Sequence, residues 1–174
     1  MREILFRAKQ KNWCELPKDD WWVEGYYAMM GVDSLIRHYI VQNCAVTKLF
    51  KNPEDNMYFN DVEIAPETLC QYIGLNDGNG NRIWQNDIVS CEHEKYPDDN
   101  PLEVYPLMPD PIKYKRNYAV EFINTGSSYG YRLRNKSIHF MLTKNVVYNH
   151  NIKVIGNIFD NPELLEGDQS CMDL

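Results

Sequence analysis

No run of apolar residues in this 174-residue chain approaches the ~18–20 needed to cross a bilayer as a helix. No membrane association is therefore expected. The opening "MREILFRAKQ" has no long apolar block behind its charges, so a secretory signal is not expected and the chain is assigned to the cytoplasm. The cysteines, Cys14, Cys44, Cys70, Cys91 and Cys171, are odd in number, scattered, and never in C-x-x-C. That spacing excludes a disulfide framework and a zinc knuckle, leaving reduced thiols that pack as small apolar groups. Internal repeats, low-complexity tracts and long helical periodicity are also missing.

Motifs that carry a mechanism are absent too. There is no H-E-x-x-H, no G-x-S-x-G, no G-x-x-x-x-G-K-[ST] and no dinucleotide fingerprint, because no helix follows "GNG" at 78–80. No catalytic residue, metal ligand or cofactor is assigned, and an enzyme is not expected. "CEHEKYPDD" gathers Cys91, Glu92, His93, Glu94, Asp98 and Asp99, which are ligand types. Neighbours on a strand point to opposite faces, so Glu92 and His93 cannot easily converge, and a solvated strand end is expected instead of a metal-dependent site. His38, His139 and His150 have no catalytic partner close in sequence.

What is present favours sheet. Hydrophobic residues make up 44% of the chain and can fill a core. The aromatics are mainly tyrosine, 12 of them, with four tryptophans. "EILFRA" alternates Ile4, Phe6 and Ala8 against Leu5 and Arg7; "WWVEGYYAMM" predicts a strand with a bulge or bend at Gly25. "LIRHYIVQ", "AVTKLF" and "MYFNDVEI" are further strands, the first also readable as a short helix. "NPEDN" is a turn, and "APETLCQYIGL" is one helical turn, with Pro66 in its first turn, running into a strand. "DIVSCEHE", a hairpin from "KYKRNYAVEFIN" and "SYGYRLRN", then "SIHFML" and "IKVIGNIF" complete the strands, with a terminal turn at "DNPELLEG". Residues 95–111 hold five of the nine prolines and must form a loop or edge. The expected organisation is an N-terminal β-rich subdomain at 1–66 and a C-terminal subdomain at 67–174.

"GLNDGNGNRIWQNDIV", residues 74–89, poses the sharpest local question. Read as a calcium loop from Asp77, it places Asn79 and Asn81 correctly. It then puts Arg82 where glycine belongs and Ile88 where a bidentate glutamate belongs. The calcium reading fails. Read as scaffold, Asn79–Gly80 forms a primed hairpin turn, since both residue types tolerate positive φ. A second corner follows at Asn86 and Asp87, with Asn86 left-handed and Asp87 hydrogen-bonding nearby backbone donors.

The blocks "QYIGLNDGNGNRIWQNDIV" and "VIGNIFDNPELL" resemble the YopX family of phage and prophage proteins, whose members carry "TGL-D-NG--I-EGDIV" and end in "VIGNI--NPEL". "REILFRA" and "WVEGYY" resemble that family's opening strands. Ile73 stands where threonine is usual and Asn86 where glycine is usual; the second departure agrees with a left-handed corner. The proline-rich loop and "DSLIRHYIVQNCAVTKLF" are less typical. The resemblance implies a mainly β protein with few short helical turns, its C-terminal part an SH3-like small barrel against an N-terminal β-rich subdomain. It implies no activity and no catalytic residues, and points to an accessory binding or assembly protein in the cytoplasm of a bacterial host.

Charge is unevenly spread. Residues 112–153 carry eight cations and one carboxylate, Glu121, a net of +7; the rest carries 10 cations and 24 carboxylates, a net of −14. Lys113, Lys115, Arg116, Arg132, Arg134 and Lys136 are the candidate binding residues, interleaved with Tyr114, Tyr118, Tyr129 and Tyr131. Cations beside aromatics suit a nucleic-acid backbone and its bases. They equally suit an acidic surface on a second copy or another protein, making a homo-oligomer expected, or a solvated face without a partner.

Overall fold

The computed structural model describes residues 3–31, 36–42, 60–95, 110–136 and 138–166. The expected strand "AVTKLF", the turn "NPEDN" and nearly all of the proline-rich loop lie outside them, as do Asp98 and Asp99. The chain is mainly β, with two antiparallel sheets, and forms two compact units, Met1–Gly74 and Leu75–Leu174. No helix among the described residues is long and apolar enough to cross a membrane.

The first unit contains β1 (Phe6–Lys9), β2 (Trp22–Met30), β3 (Arg37–Gln42), β4 (Asn60–Glu63) and most of β5 (Cys70–Asn76), in the order β4-β3-β2-β1-β5. This unit runs past residue 66, where the sequence division was set, because β5 pairs with β1 through Phe6↔Gln71 and Arg7↔Cys70. "RHYIVQ" is a strand, not a helix. Ala8, Val23, Ile40 and Ile64 form the core, with Phe6, Tyr27, Val62 and Leu69 packed against it. The expected alternation is not seen in burial: Phe6 and Arg7 are both half-buried, and Lys9 is enclosed beside Ala8. Leu5 is buried and Ile4 exposed, since regular pairing starts only at Phe6.

The register shows no bulge at Gly25. β2 pairs continuously, with β1 up to Gly25 and with β3 from Tyr26 onward. The glycine is there for clearance: a β-carbon would stand 2.3 Å from the Val41 carbonyl oxygen.

Lys9 is buried, with Nζ 3.9 Å from the ring centroid of Trp13 and 4.5 Å from that of Trp21. The indole faces supply part of the solvation that burial removes from the ammonium. Its backbone N–H donates to Thr68 Oγ1 at 2.9 Å and its carbonyl accepts from Ala65 N–H at 2.9 Å. The short 3-10 turn Pro66–Thr68, predicted from "APET", thus caps the end of β1.

The second unit contains β6 (Arg82–Trp84), β7 (Asp87–Lys95), β8 (Ile112–Thr125), β9 (Ser128–Asn135), β10 (Ile138–Met141), α1 (Lys144–Asn149) and β11 (Lys153–Asn157), followed by a 3-10 turn at Pro162–Leu165. Its five-stranded sheet has the order β10-β9-β8-β7-β11. β7 to β10 form a meander, and β11 returns beside β7 after α1. Among the described residues β10 and β11 remain the two edges, so the sheet is open and no closed barrel is formed. Ile88, Val89, Cys91, Tyr118, Val120, Leu133 and Ile152 are fully buried within this unit.

Helix α1 is unforeseen in the sequence. Thr143 caps it by accepting from Val146 N–H at 3.3 Å, and Val147 anchors it in the interior. At its C-terminal end, Glu92 N–H donates to the His150 carbonyl at 2.8 Å, and His150 Nδ1 donates to the Glu92 carbonyl at 3.0 Å. These two bonds fasten the helix end to β7.

Candidate functional site

The 77–81 loop closes on its own carboxylate. Asp77 Oδ1 accepts from Asn79 N–H at 2.9 Å and Asn81 N–H at 2.8 Å, while Oδ2 accepts from Asn81 Nδ2 at 3.2 Å and Val154 N–H at 3.0 Å. Four donors occupy the oxygens that a calcium ion would need. Burial raises the carboxyl's pKa, but the Val154, Asn81 and Asn79 donors outweigh it and hold the group below its ordinary value.

The turn itself differs from the Asn79–Gly80 primed turn expected. Gly80 N–H donates to the Asp77 carbonyl at 3.0 Å, so Gly78 and Asn79 are the central pair. Only Gly80 is left-handed, at φ 88, and Asn79 has no positive φ. The Asp77 carboxylate shapes a wider loop, which relieves Asn79 of the strained conformation.

Asn86 does take the left-handed conformation, at φ 68. Its N–H donates to the Val120 carbonyl and its carbonyl accepts from Ile158 N–H. Asp87 is fully buried and accepts from Trp84 N–H at 2.8 Å, turning β6 into β7.

The six candidate cations do not form one surface. Lys113 and Lys115 share a face of β8 with Glu121, and the register Glu121↔Arg132 and Ala119↔Arg134 puts Arg132 and Arg134 on that same face. Arg116 projects to the opposite face, 5.7 Å from the Tyr114 ring centroid. Lys136 lies beyond β9, in the turn to β10, at φ 27. The tyrosines separate from Arg132 and Arg134, though not from Arg116, for the same reason. Tyr131 is opposite Phe122, on the face away from Arg132 and Arg134. Interleaving along a strand means segregation in space.

Carboxylates reach four of the cations. Across the β7–β8 ladder Glu92 faces Lys115 and Glu94 faces Lys113, with N–O separations of 3.8 and 3.5 Å. Glu121 takes Arg132 through both Nε and Nη2 at 2.8 Å, and Arg134 at 3.3 Å. The net of +7 counted along the chain is thus reduced locally by residues outside the counted window.

Arg134, Lys136 and Asn86 meet in a groove of about 430 Å³. Ala119, Ile158, Pro162 and Leu165 supply its apolar lining, while Glu121 and Glu166 supply its carboxylates. Nothing local in the sequence marks it, since its walls come from four distant segments.

Catalytic residue types do assemble elsewhere in this unit. His93 Nε2 shares a 3.0 Å hydrogen bond with Tyr118 Oη, and the His93 and His150 rings lie 5.0 Å apart. Burial pushes the Cys91 thiol up to about 12 and also raises Tyr118, so neither is a ready nucleophile near neutral pH. Phe140 packs edge-on to Tyr118, and Tyr114 stacks on His93. The cluster ties β7, β8, β10 and α1 together. No group of three or more His, Cys, Asp and Glu residues able to hold a metal occurs among the described residues.

A family model described as YopX protein matches residues 21–166. No curated protein matches the chain. Among solved structures, protein EF1440 from Enterococcus faecalis is similar at 16% identity and a TM-score of 0.42, covering 95% of this chain and 99% of its own.

Proposed function

The chain belongs to the YopX family, and from that premise we propose a non-enzymatic binding and assembly module, an accessory protein of phage or prophage origin acting in the cytoplasm of a bacterial host. We read the second unit as a small SH3-like barrel in opened form. The support is its strand order, a four-strand meander whose fifth strand returns after a short helix to pair with the first.

One observation carries the assembly reading. On the β8–β9 hairpin Phe122 packs edge-on against both Tyr129 and Tyr131, with centroids 5.3 Å apart in each case, yet Tyr129 is 74% exposed. Pre-packed aromatics facing solvent are what a protein interface enriches. The partner proposed is a second copy of the chain. Light scattering after size exclusion is expected to give a particle larger than 20.5 kDa, and Tyr129→Glu is expected to return it to monomer mass. A wild-type chain that stays monomeric at high micromolar concentration would remove the assembly claim.

A second reading keeps one observation in its favour: Lys113, Lys115, Arg132 and Arg134 do share a face. A nucleic acid bound there would lose affinity steeply with salt, and Arg132→Glu with Arg134→Glu would flatten that dependence. Fluorescence anisotropy with labelled single- and double-stranded oligonucleotides tests this. Silence at low salt would end it.

A further inference from the structure

We propose that the groove between the end of β9 and the Pro162–Leu165 turn binds an extended, mainly apolar peptide segment of a partner protein that carries one carboxylate, with apolar side chains on the Ile158–Pro162–Leu165 ledge and the carboxylate on Lys136. The inference shares the binding-module reading above but does not depend on self-association.

Three observations converge. The groove is mostly apolar in lining, yet has Arg134 and Lys136 at its β9 side. Glu121 is engaged chiefly by Arg132, through two bonds of 2.8 Å, and holds Arg134 only at 3.3 Å. Lys136 has no ion-pair partner among the described residues. It is also held at φ 27, where a β-carbon is disfavoured and glycine would sit without strain. Asn86, at φ 68, lines the same groove, so two of the three non-glycine residues at positive φ among those described meet there. A left-handed turn that keeps a lysine, outside any ion pair among the described residues and beside an apolar ledge, is complementary to a carboxylate flanked by apolar side chains.

Charge favours a peptide over a nucleic acid at this position. Glu121 and Glu166 both line the groove. A polyphosphate backbone would run past both carboxylates, whereas a peptide can place a single carboxylate over Lys136 and present apolar groups elsewhere.

Fluorescence anisotropy on the full chain tests this with three probes: a labelled, C-terminally amidated Leu-Leu-Glu-Leu-Leu peptide (the Leu-Glu peptide), its Leu-Leu-Lys-Leu-Leu counterpart (the Leu-Lys peptide), and an oligo-dT strand. The Leu-Glu peptide is expected to bind at least about ten-fold more tightly than the other two. Lys136→Gly is the decisive variant, because it removes the cation while relieving the backbone. It is expected to leave the melting temperature equal or higher while weakening the Leu-Glu peptide about five- to ten-fold, and Lys136→Arg is expected to retain binding. Equal binding by Lys136→Gly, preference for the Leu-Lys peptide or oligo-dT, or no binding by folded wild type would overturn the proposal. A particle above monomer mass in that last case would leave the assembly reading standing.

Discussion

Asp77→Ala is expected to destabilise the second unit by about 3 kcal/mol, since hydrogen bonds to a charged group contribute about 1.5–3 kcal/mol each and four are lost together. The sum is not additive, because an opened 77–81 loop would let water replace part of what the carboxylate provides. Asp77→Asn should recover roughly half: one terminal atom can still accept, but the amide nitrogen then faces a donor set built for two oxygens. Urea unfolding measures both. The pH dependence follows in sign. The folded carboxyl lies below its unfolded value, whose reference is 3.8, so its stabilisation is complete above that value and is lost as pH falls through the lower folded pKa. The gap between wild type and Asp77→Ala should therefore be widest near neutrality and narrow below about pH 4. Millimolar calcium should leave the wild-type melting temperature within about 1 °C, because a ligand that does not bind the native state cannot stabilise it. A calcium-dependent rise abolished by Asp77→Ala would restore the ion-binding reading of this loop.

Local backbone chemistry was legible in the sequence where one residue decides it. Asn86 is left-handed as read, Pro66 starts a helical turn, and the β8–β9 hairpin follows from its alternation and the turn between Thr125 and Ser128. The Asn-Gly reading missed because a carboxylate two residues upstream captured the loop, and a dipeptide rule does not see that competitor. Helix α1 was hidden by its composition. "KNVVYN" combines two valines with two asparagines, poor helix formers, and its stability comes from the Thr143 cap, buried Val147 and the two His150–Glu92 bonds. The charge count erred for a geometric reason. Glu92 and Glu94 lie outside residues 112–153 yet stand directly across the ladder from Lys115 and Lys113. A one-dimensional window records neighbours along the chain, while ion pairing in a sheet is set across it. The groove was out of reach for the same reason, with Asn86, Ala119, Arg134 and Pro162 brought together only by folding.

The same distinction between conformation and contact makes Gly25 a stringent test of the first unit. Gly25→Ala is expected to cost about 3 kcal/mol or more, at the upper end of overpacking in a core, because the atoms in the way are backbone. The new β-carbon would lie 2.3 Å from the Val41 carbonyl oxygen, 2.9 Å from the Val41 carbonyl carbon and 2.9 Å from Ile40 Cγ2. Ile40 is fully buried in the core and Val41 pairs with Tyr26, so neither yields without parting β2 from β3. Gly80→Ala is the matched control. Gly80 sits at φ 88 with nothing within 4 Å of the added carbon, so only left-handed strain of about 1–2 kcal/mol is expected. Tryptophan fluorescence separates the two sites, since Trp13, Trp21 and Trp22 lie in the first unit around Lys9 and Trp84 lies buried in the second. Gly25→Ala should shift the urea transition seen by the first three far more than Gly80→Ala shifts any. If the two variants were equally mild, the close approach of β3 to β2 would be wrong, and with it the reason a glycine interrupts the run of large side chains in "WWVEGYYAMM".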